Sequence, residues 1–159
     1  AEWEYAARAG QQLEYPTNDG NLSYSQANYG TGWGGPSGET YLTPIGEIYP
    51  PNPFGLYNMA GNVSEWVASS YEQDAYEFSA SMNPNVNNLY NAKKIIRGGS
   101  WKDVKYFLQV SSRDYEYENQ PRSYIGFRTV HDYLGADLTA NAMTNTATTK
   151  RNNRRSSIK

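Results

Sequence analysis

The sequence predicts an α+β domain in which short helices and strands are joined by long, polar, aromatic-rich loops. Three observations carry this. The chain opens on a short amphipathic helix pattern, isolated apolar runs of strand length occur in its second half, and the stretch between is dominated by Gly, Pro, Asn, Ser and Tyr. At 159 residues the chain has the length of one domain with a real core. Apolar residues make up only 38% of it, yet there are 15 Tyr and 4 Trp, so the interior must use large rings whose polar tips need partners.

Taken in order, residues 1–9 place Trp3, Ala6, Ala7 and Ala9 near one side and leave Glu2, Glu4 and Arg8 to solvent, with Gly10 ending the helix. No capping residue stands ahead of "AEWEYAARAG", so the domain reads as N-terminally incomplete, with any leader or anchor lying upstream. Residues 11–53 form a loop, since "GTGWGGPSGE" sustains neither helix nor long strand. A loop of this length needs holding, by aromatic packing or a bound ion. After "YPPNPFG", Asn62 precedes a helix-compatible stretch from about Val63 to Ala68, and "QDAYEFSASMNPNVNN" returns to polar loop. "KKIIRGGSW" gives a strand at Ile95 and Ile96 ended by two glycines, and "FLQVSSRDY" a further strand. "SYIGFRTVHDY" gives the last, with Ile125, Phe127 and Thr129 on one face. Residues 1–135 are expected to form the domain. Residues 136–159, rich in Ala, Thr, Asn, Ser, Lys and Arg, form a basic tail that is flexible or folds onto a partner.

Composition excludes several chemistries. No run approaches the ~20 apolar residues of a membrane span. The absence of cysteine removes disulfides, thiolate metal sites and cysteine nucleophiles from these residues, and the single histidine, His131, removes multi-histidine metal sites. With no G-x-S-x-G, nucleophilic catalysis has no assembled parts. "RGGSW" at 97–101 lacks the lysine and spacing of a phosphate cradle and reads as a tight strand end. Residues 1–135 carry 9 Lys/Arg against 15 Asp/Glu, and residues 136–159 carry 5 against 1. A mildly acidic domain without a basic groove argues against a nucleic-acid partner. Asp114, Glu116 and Glu118 alternate with Tyr115 and Tyr117 and are expected on a solvated edge.

The stretch "NMAGNVSEW" admits two readings. In one, Asn62 and Glu65 form a helix capping box. In the other, Gly61 lets the carbonyl oxygens of Ala60, Gly61 and Val63 converge while Glu65 adds the anionic oxygen a hard cation prefers. Asn62-Val63-Ser64 also fits a glycosylation acceptor, but between Met59 and Trp66 it is expected to be buried.

Five stretches, "AEWEYAARAG", "PPNPFGLYNMAGNVSEWV", "IIRGGSW", "SSRDY" and "IGFRTV", occur in the order and approximate spacing of one family. Over residues 1 to about 131 the chain resembles the formylglycine-generating-enzyme domain, also called the sulfatase-modifying-factor domain. The resemblance implies a C-type-lectin-like α+β fold, loop-rich and often calcium-stabilised. It implies a structural calcium on the backbone oxygens of Ala60, Gly61 and Val63 with Glu65. It also implies a second ion site whose first asparagine matches Asn28, although "SGE" at 37–39 replaces that site's acidic partner. Arg128 in "GFR" matches an arginine expected to tie the last strand to the core.

One departure shapes the functional expectation. Formylglycine-generating enzymes bind copper through two cysteines after "GGS", and "GGSWKDVKYFLQVSSRD" contains none, so no copper is expected and the chain is expected not to be an enzyme. The wording "YNMAGNVSEWV" and the Tyr-rich loops resemble a branch that lacks catalytic residues, the gliding-motility and type IX secretion lipoproteins of the GldK/PorK and GldJ kind. That resemblance implies a scaffold subunit at the periplasmic face of the outer membrane in Bacteroidetes, lipid-anchored outside this segment. There it would form a homo-oligomeric ring with an N-type subunit. Two alternatives from other classes are a metal-dependent oxidase-like enzyme with ligands outside the segment, and a glycan-binding module using exposed aromatics such as Trp33.

Overall fold

The structure, a computed structural model, describes residues 1–31, 42–46, 48–78 and 86–131. The elements are α1 (Glu2–Arg8), β1 (Ser64–Ser70), α2 (Ala75–Phe78), β2 (Lys93–Arg97), α3 (Lys105–Leu108), β3 (Asp114–Tyr117) and β4 (Ile125–Gly126). The strands form a four-stranded sheet in the order β3-β2-β1-β4. The β1–β2 and β2–β3 pairs are antiparallel and β1–β4 is parallel. Among the described residues no helix is long and apolar enough to cross a membrane. Ala1–Arg128 make one compact unit; of the remainder, Thr129–Lys159, only 129–131 are described, so the expected tail at 136–159 lies outside the described residues.

Helix α1 forms as its pattern dictates. Trp3 and Ala7 are buried, and the left-handed Ala9 (φ 48) followed by Gly10 (φ 75) ends it. Glu4 departs from expectation, because its carboxylate turns inward to Arg97 rather than out to solvent. The core has two parts. Trp3, Ala7, Met59 and Val110 pack between α1 and the sheet, and Ala27, Tyr29, Ala60 and Leu108 pack under the long loop.

Three sequence expectations are corrected. The stretch 64–70 is strand β1, not helix, because pairing on both flanks outweighs the local helical pattern. "FLQVSSRDY" does not run as one strand. Leu108 and Val110 are both fully buried, but α3 and a turn place them there, with the Val110 amide donating to Glu14 O at 2.8 Å, and pairing begins only at Asp114. The last strand shrinks to Ile125–Gly126, and Phe127 is 76% exposed, so Ile125, Phe127 and Thr129 share no buried face. The polar stretch at 73–88 also contains the single-turn helix α2.

The described parts of the long loop, 11–31, 42–46 and 48–53, are held by polar and aromatic groups. Tyr24 stacks on Tyr29 at 4.5 Å, Thr17 Oγ1 donates to Asn21 O at 2.6 Å, and an isolated bridge joins Asn28 to Gly61. Asn52 accepts from the amides of Phe54 and Leu56 and donates to Ala6 O, fastening the loop's end to α1. On the edge strand β3 Asp114 is exposed, but Glu116 is half-buried against Arg122 and the Tyr124 hydroxyl, while Tyr115 and Tyr117 are exposed. The alternation therefore does not put every acid on a solvated side. The amides of Tyr115 and Tyr117 donate to the carboxylates of Asp114 and Glu116.

Candidate functional site

The "NMAGNVSEW" loop folds through two successive left-handed residues, Gly61 (φ 71) and Asn62 (φ 67). Glycine is required at 61, because a Cβ there would collide with the carbonyl oxygen of Asn28. The turn is pinned by Gly61 N to Gly98 O (2.9 Å), Asn62 N to Asn28 O (2.8 Å) and Trp101 N to Asn62 O (3.0 Å). The Asn62 side chain is buried and engaged at both ends. Its Oδ1 accepts from the amide and hydroxyl of Thr43, and its Nδ2 donates to Thr43 O. With a strand following, the capping-box reading fails, since there is no helix here to cap. Burial of Asn62 agrees with the chance nature of the glycosylation match.

Glu65 sits on the core side of β1, 5% exposed, and both its oxygens accept hydrogen bonds. Arg128 Nη2 donates to Oε1 at 2.5 Å, Arg128 Nε to Oε2 at 2.7 Å, and the Trp3 indole N–H to Oε2 at 2.7 Å. Arg128 Nη2 also reaches Tyr57 O at 3.1 Å, so this arginine ties the end of the last strand to the core as expected. The face of Trp3 carries the Arg97 guanidinium at 5.0 Å. Arg97, itself buried, donates to Glu4 Oε2 (2.8 Å), Val110 O (2.7 Å) and Ser112 O (2.6 Å). Glu4 Oε1 accepts from Arg8. Burial would raise the Glu4 carboxyl, but the hydrogen bond from Arg8 and the charge of Arg97 outweigh it and hold the group below its ordinary value.

The result is one continuous chain of partners, Arg8–Glu4–Arg97–Trp3–Glu65–Arg128, joining α1, β1, β2 and the segment after β4. All four oxygens of its two carboxylates are engaged by donors. Its chemistry is that of a clamp, because buried charges are tolerated when each is paired and hydrogen-bonded.

The five residues expected to hold metal are placed as follows. Asn28, Ala60, Gly61 and Glu65 are buried and Val63 is half-buried, and the Asn28–Gly61 bridge brings the two proposed ion loops together. The one carboxylate in the set faces Arg128 and Trp3, so a calcium ion ligated by Glu65 must displace a guanidinium that already balances its charge. Among the described residues no group of three or more His, Cys, Asp or Glu side chains is positioned around a metal ion. Trp33 and "SGE" at 37–39 lie outside the described residues. His131 is exposed. Gly98 (φ 86) and Gly99 (φ 67) end β2 as expected; a Cβ on Gly99 would lie 2.6 Å from Leu108 Cδ1. Motif reading alone misses Trp3 and Arg97 as partners of the loop. The available signal is an arginine directly after the apolar pair Ile95–Ile96, since an unpaired cation is almost never buried.

Fold and site together define a C-type-lectin-like α+β domain whose signature loop is built into a buried ion-pair clamp. The chain belongs to the sulfatase-modifying factor enzyme 1-like domain family, which it matches over residues 1–133. Among its relatives is a protein named serine/threonine-protein kinase pkn1 from Chlamydia pneumoniae, 37% identical over 130 residues, which are 80% of this chain and 19% of that protein. The formylglycine-generating enzyme of Mus musculus is 27% identical over 84% of this chain and 38% of that enzyme. The inactive C-alpha-formylglycine-generating enzyme 2 of Mus musculus is 30% identical over 65% of this chain and 30% of its own length. The structure of PvdO from Pseudomonas aeruginosa shares 31% identity at a TM-score of 0.62, covering 79% of this chain and 48% of that one. The chain thus spans about a fifth of the kinase-named relative and well under half of the mouse enzyme.

These likenesses correct the expectation that the chain is not an enzyme. Formylglycine-generating enzymes match it across most of its length beside a relative named as inactive, so the absence of cysteine from this segment does not make the chain a non-enzyme. The physical reason is coverage: a segment spanning 38% of the mouse enzyme leaves most of that enzyme's residues unrepresented.

Proposed function

We propose that this segment is the rigid, partner-facing part of a sulfatase-modifying-factor domain and that it works within a protein assembly. The observation that carries the reading is a set of large, highly exposed apolar side chains on a clamped frame. Ile45 (77%), Phe127 (76%), Tyr5 (67%) and Tyr106 (64%) stand exposed on a domain whose buried charges are paired. The finer form of the proposal is a ring-forming lipoprotein of a type IX secretion or gliding-motility system, at the periplasmic face of the outer membrane with an N-type partner. It rests on the wording of the loop motifs alone. The test is the native mass of the complete protein extracted with its neighbours. A high-mass complex containing several copies supports the reading, and a monodisperse free monomer overturns it.

A second reading, favoured by the formylglycine-generating-enzyme relatives, is a metal-dependent oxidase-like enzyme that draws its metal ligands from residues outside this segment. Stoichiometric copper or iron in the complete protein, with oxidation of a thiol substrate, selects this reading. Calcium on Ala60, Gly61, Val63 and Glu65, with Asn28 in a second site, is a proposal from the family resemblance. A calcium-induced rise in melting temperature that Glu65→Gln abolishes supports it. Identical melting in calcium and in chelator overturns it and leaves Glu65 to Arg128 and Trp3.

A further inference from the structure

Trp66 of β1 and the β3–β4 connection border an open cavity of about 370 Å³ that the clamp does not use. Strand alternation puts Trp66 on the face of β1 opposite Glu65. The half-buried Trp66 indole, Ile125 and Pro121 form its apolar wall. Its polar rim is Glu118, Asn119, Gln120 and Arg122.

The rim is held in place. Glu118 N donates to Ala92 O at 2.9 Å, Gln120 N to Tyr117 O at 3.0 Å, and Ile125 N to Arg122 O at 3.3 Å. Arg122 Nε donates to Glu116 Oε2 at 2.7 Å, an oxygen that also accepts from the Tyr124 hydroxyl at 3.1 Å. The rim's charges are matched from behind, Arg122 by Glu116 and Glu118 by Lys94 at 3.8 Å. The exposed carboxamides of Asn119 and Gln120 have no side-chain hydrogen bond among the described residues. Two unengaged amides therefore stand beside an indole on a braced loop.

We propose that this cavity binds a neutral pyranose sugar, such as the terminal ring of a glycan. The C–H face of a pyranose packs on an aromatic ring, and each carboxamide offers a donor and an acceptor in one plane, matching adjacent hydroxyls. The paired charges on the rim strengthen such bonds without drawing in net charge. A phosphate would find one cation, already bound to Glu116. An apolar peptide side chain would meet a rim of four polar residues. The volume lies within the range of ligand pockets.

The test uses the 159-residue chain and a panel of glucose, galactose, mannose, N-acetylglucosamine and its β1,4-linked disaccharide, read by saturation-transfer NMR and tryptophan fluorescence. At least one sugar is expected to show transfer to its ring protons and to bind in the millimolar range. Trp66→Ala is expected to abolish binding. Because Trp66→Ala can also disturb β1, Asn119→Ala combined with Gln120→Ala serves as the control: both residues are exposed, so the melting temperature stays at the parent value while affinity falls about tenfold or more, the loss expected for two ordinary hydrogen bonds. Absence of transfer from every sugar, or undiminished binding by the double variant, overturns the proposal.

Discussion

Replacing Glu65 by Gln tests the clamp directly. The change keeps shape and one carbonyl oxygen but removes the charge that two Arg128 nitrogens and the Trp3 indole meet at 2.5–2.7 Å. Removing one partner of a buried ion pair costs about 3–5 kcal/mol, mostly because the other charge is left uncompensated. Here the Arg128 side chain is 27% exposed, so water partly solvates the stranded guanidinium, and the carboxamide oxygen of the replacement still accepts from Trp3. The expected loss is therefore about 2–3 kcal/mol, or a fall of about 10 °C in melting temperature for a domain of this size. Thermal circular dichroism and urea unfolding followed by tryptophan fluorescence, both with chelator present, measure it. Arg128→Met and the double variant complete a mutant cycle, with an expected coupling of about 2 kcal/mol. If Glu65→Gln melts like its parent, or if the two changes simply add, the pair does not hold the fold and the clamp is no clamp.

Three further outcomes follow from the same frame. Arg97→Lys retains charge but cannot keep the fork to Glu4, Val110 O and Ser112 O, and is expected to lose about 2–4 kcal/mol in urea unfolding; an unchanged midpoint would contradict it. Gly61→Ala drives a Cβ into Asn28 O at a positive φ and is expected to cost about 3 kcal/mol or prevent folding, with the Asn62 amide losing its protection against hydrogen exchange. The Glu4 carboxyl lies below its ordinary value in the folded chain, so its contribution is complete above the unfolded value near 4.5 and is lost as pH falls through the lower folded value. Stability is thus expected to drop on acidification below pH 4.5 less steeply in Glu4→Gln than in the parent, and identical acid profiles would refute it.

What the sequence made legible was what local chemistry decides. The helix of α1 followed from its alanines and Trp3, and the end of β2 from Gly98 and Gly99. What it hid was decided at long range. The stretch from about Val63 to Ala68 is helix-compatible, and only the pairing of Ser64–Ser70 with Lys93–Arg97 and Ile125–Gly126 makes it a strand. The same holds for the candidate site. Asn62 and Glu65 are three residues apart and invite a capping box, yet their partners are Thr43 on one side and Trp3 and Arg128, at separations of 62 and 63 residues, on the other. A buried carboxylate announces only that it needs a cation. Which group answers that need is decided by the fold, which sets Arg128 against both oxygens of Glu65 from a separation of 63 residues.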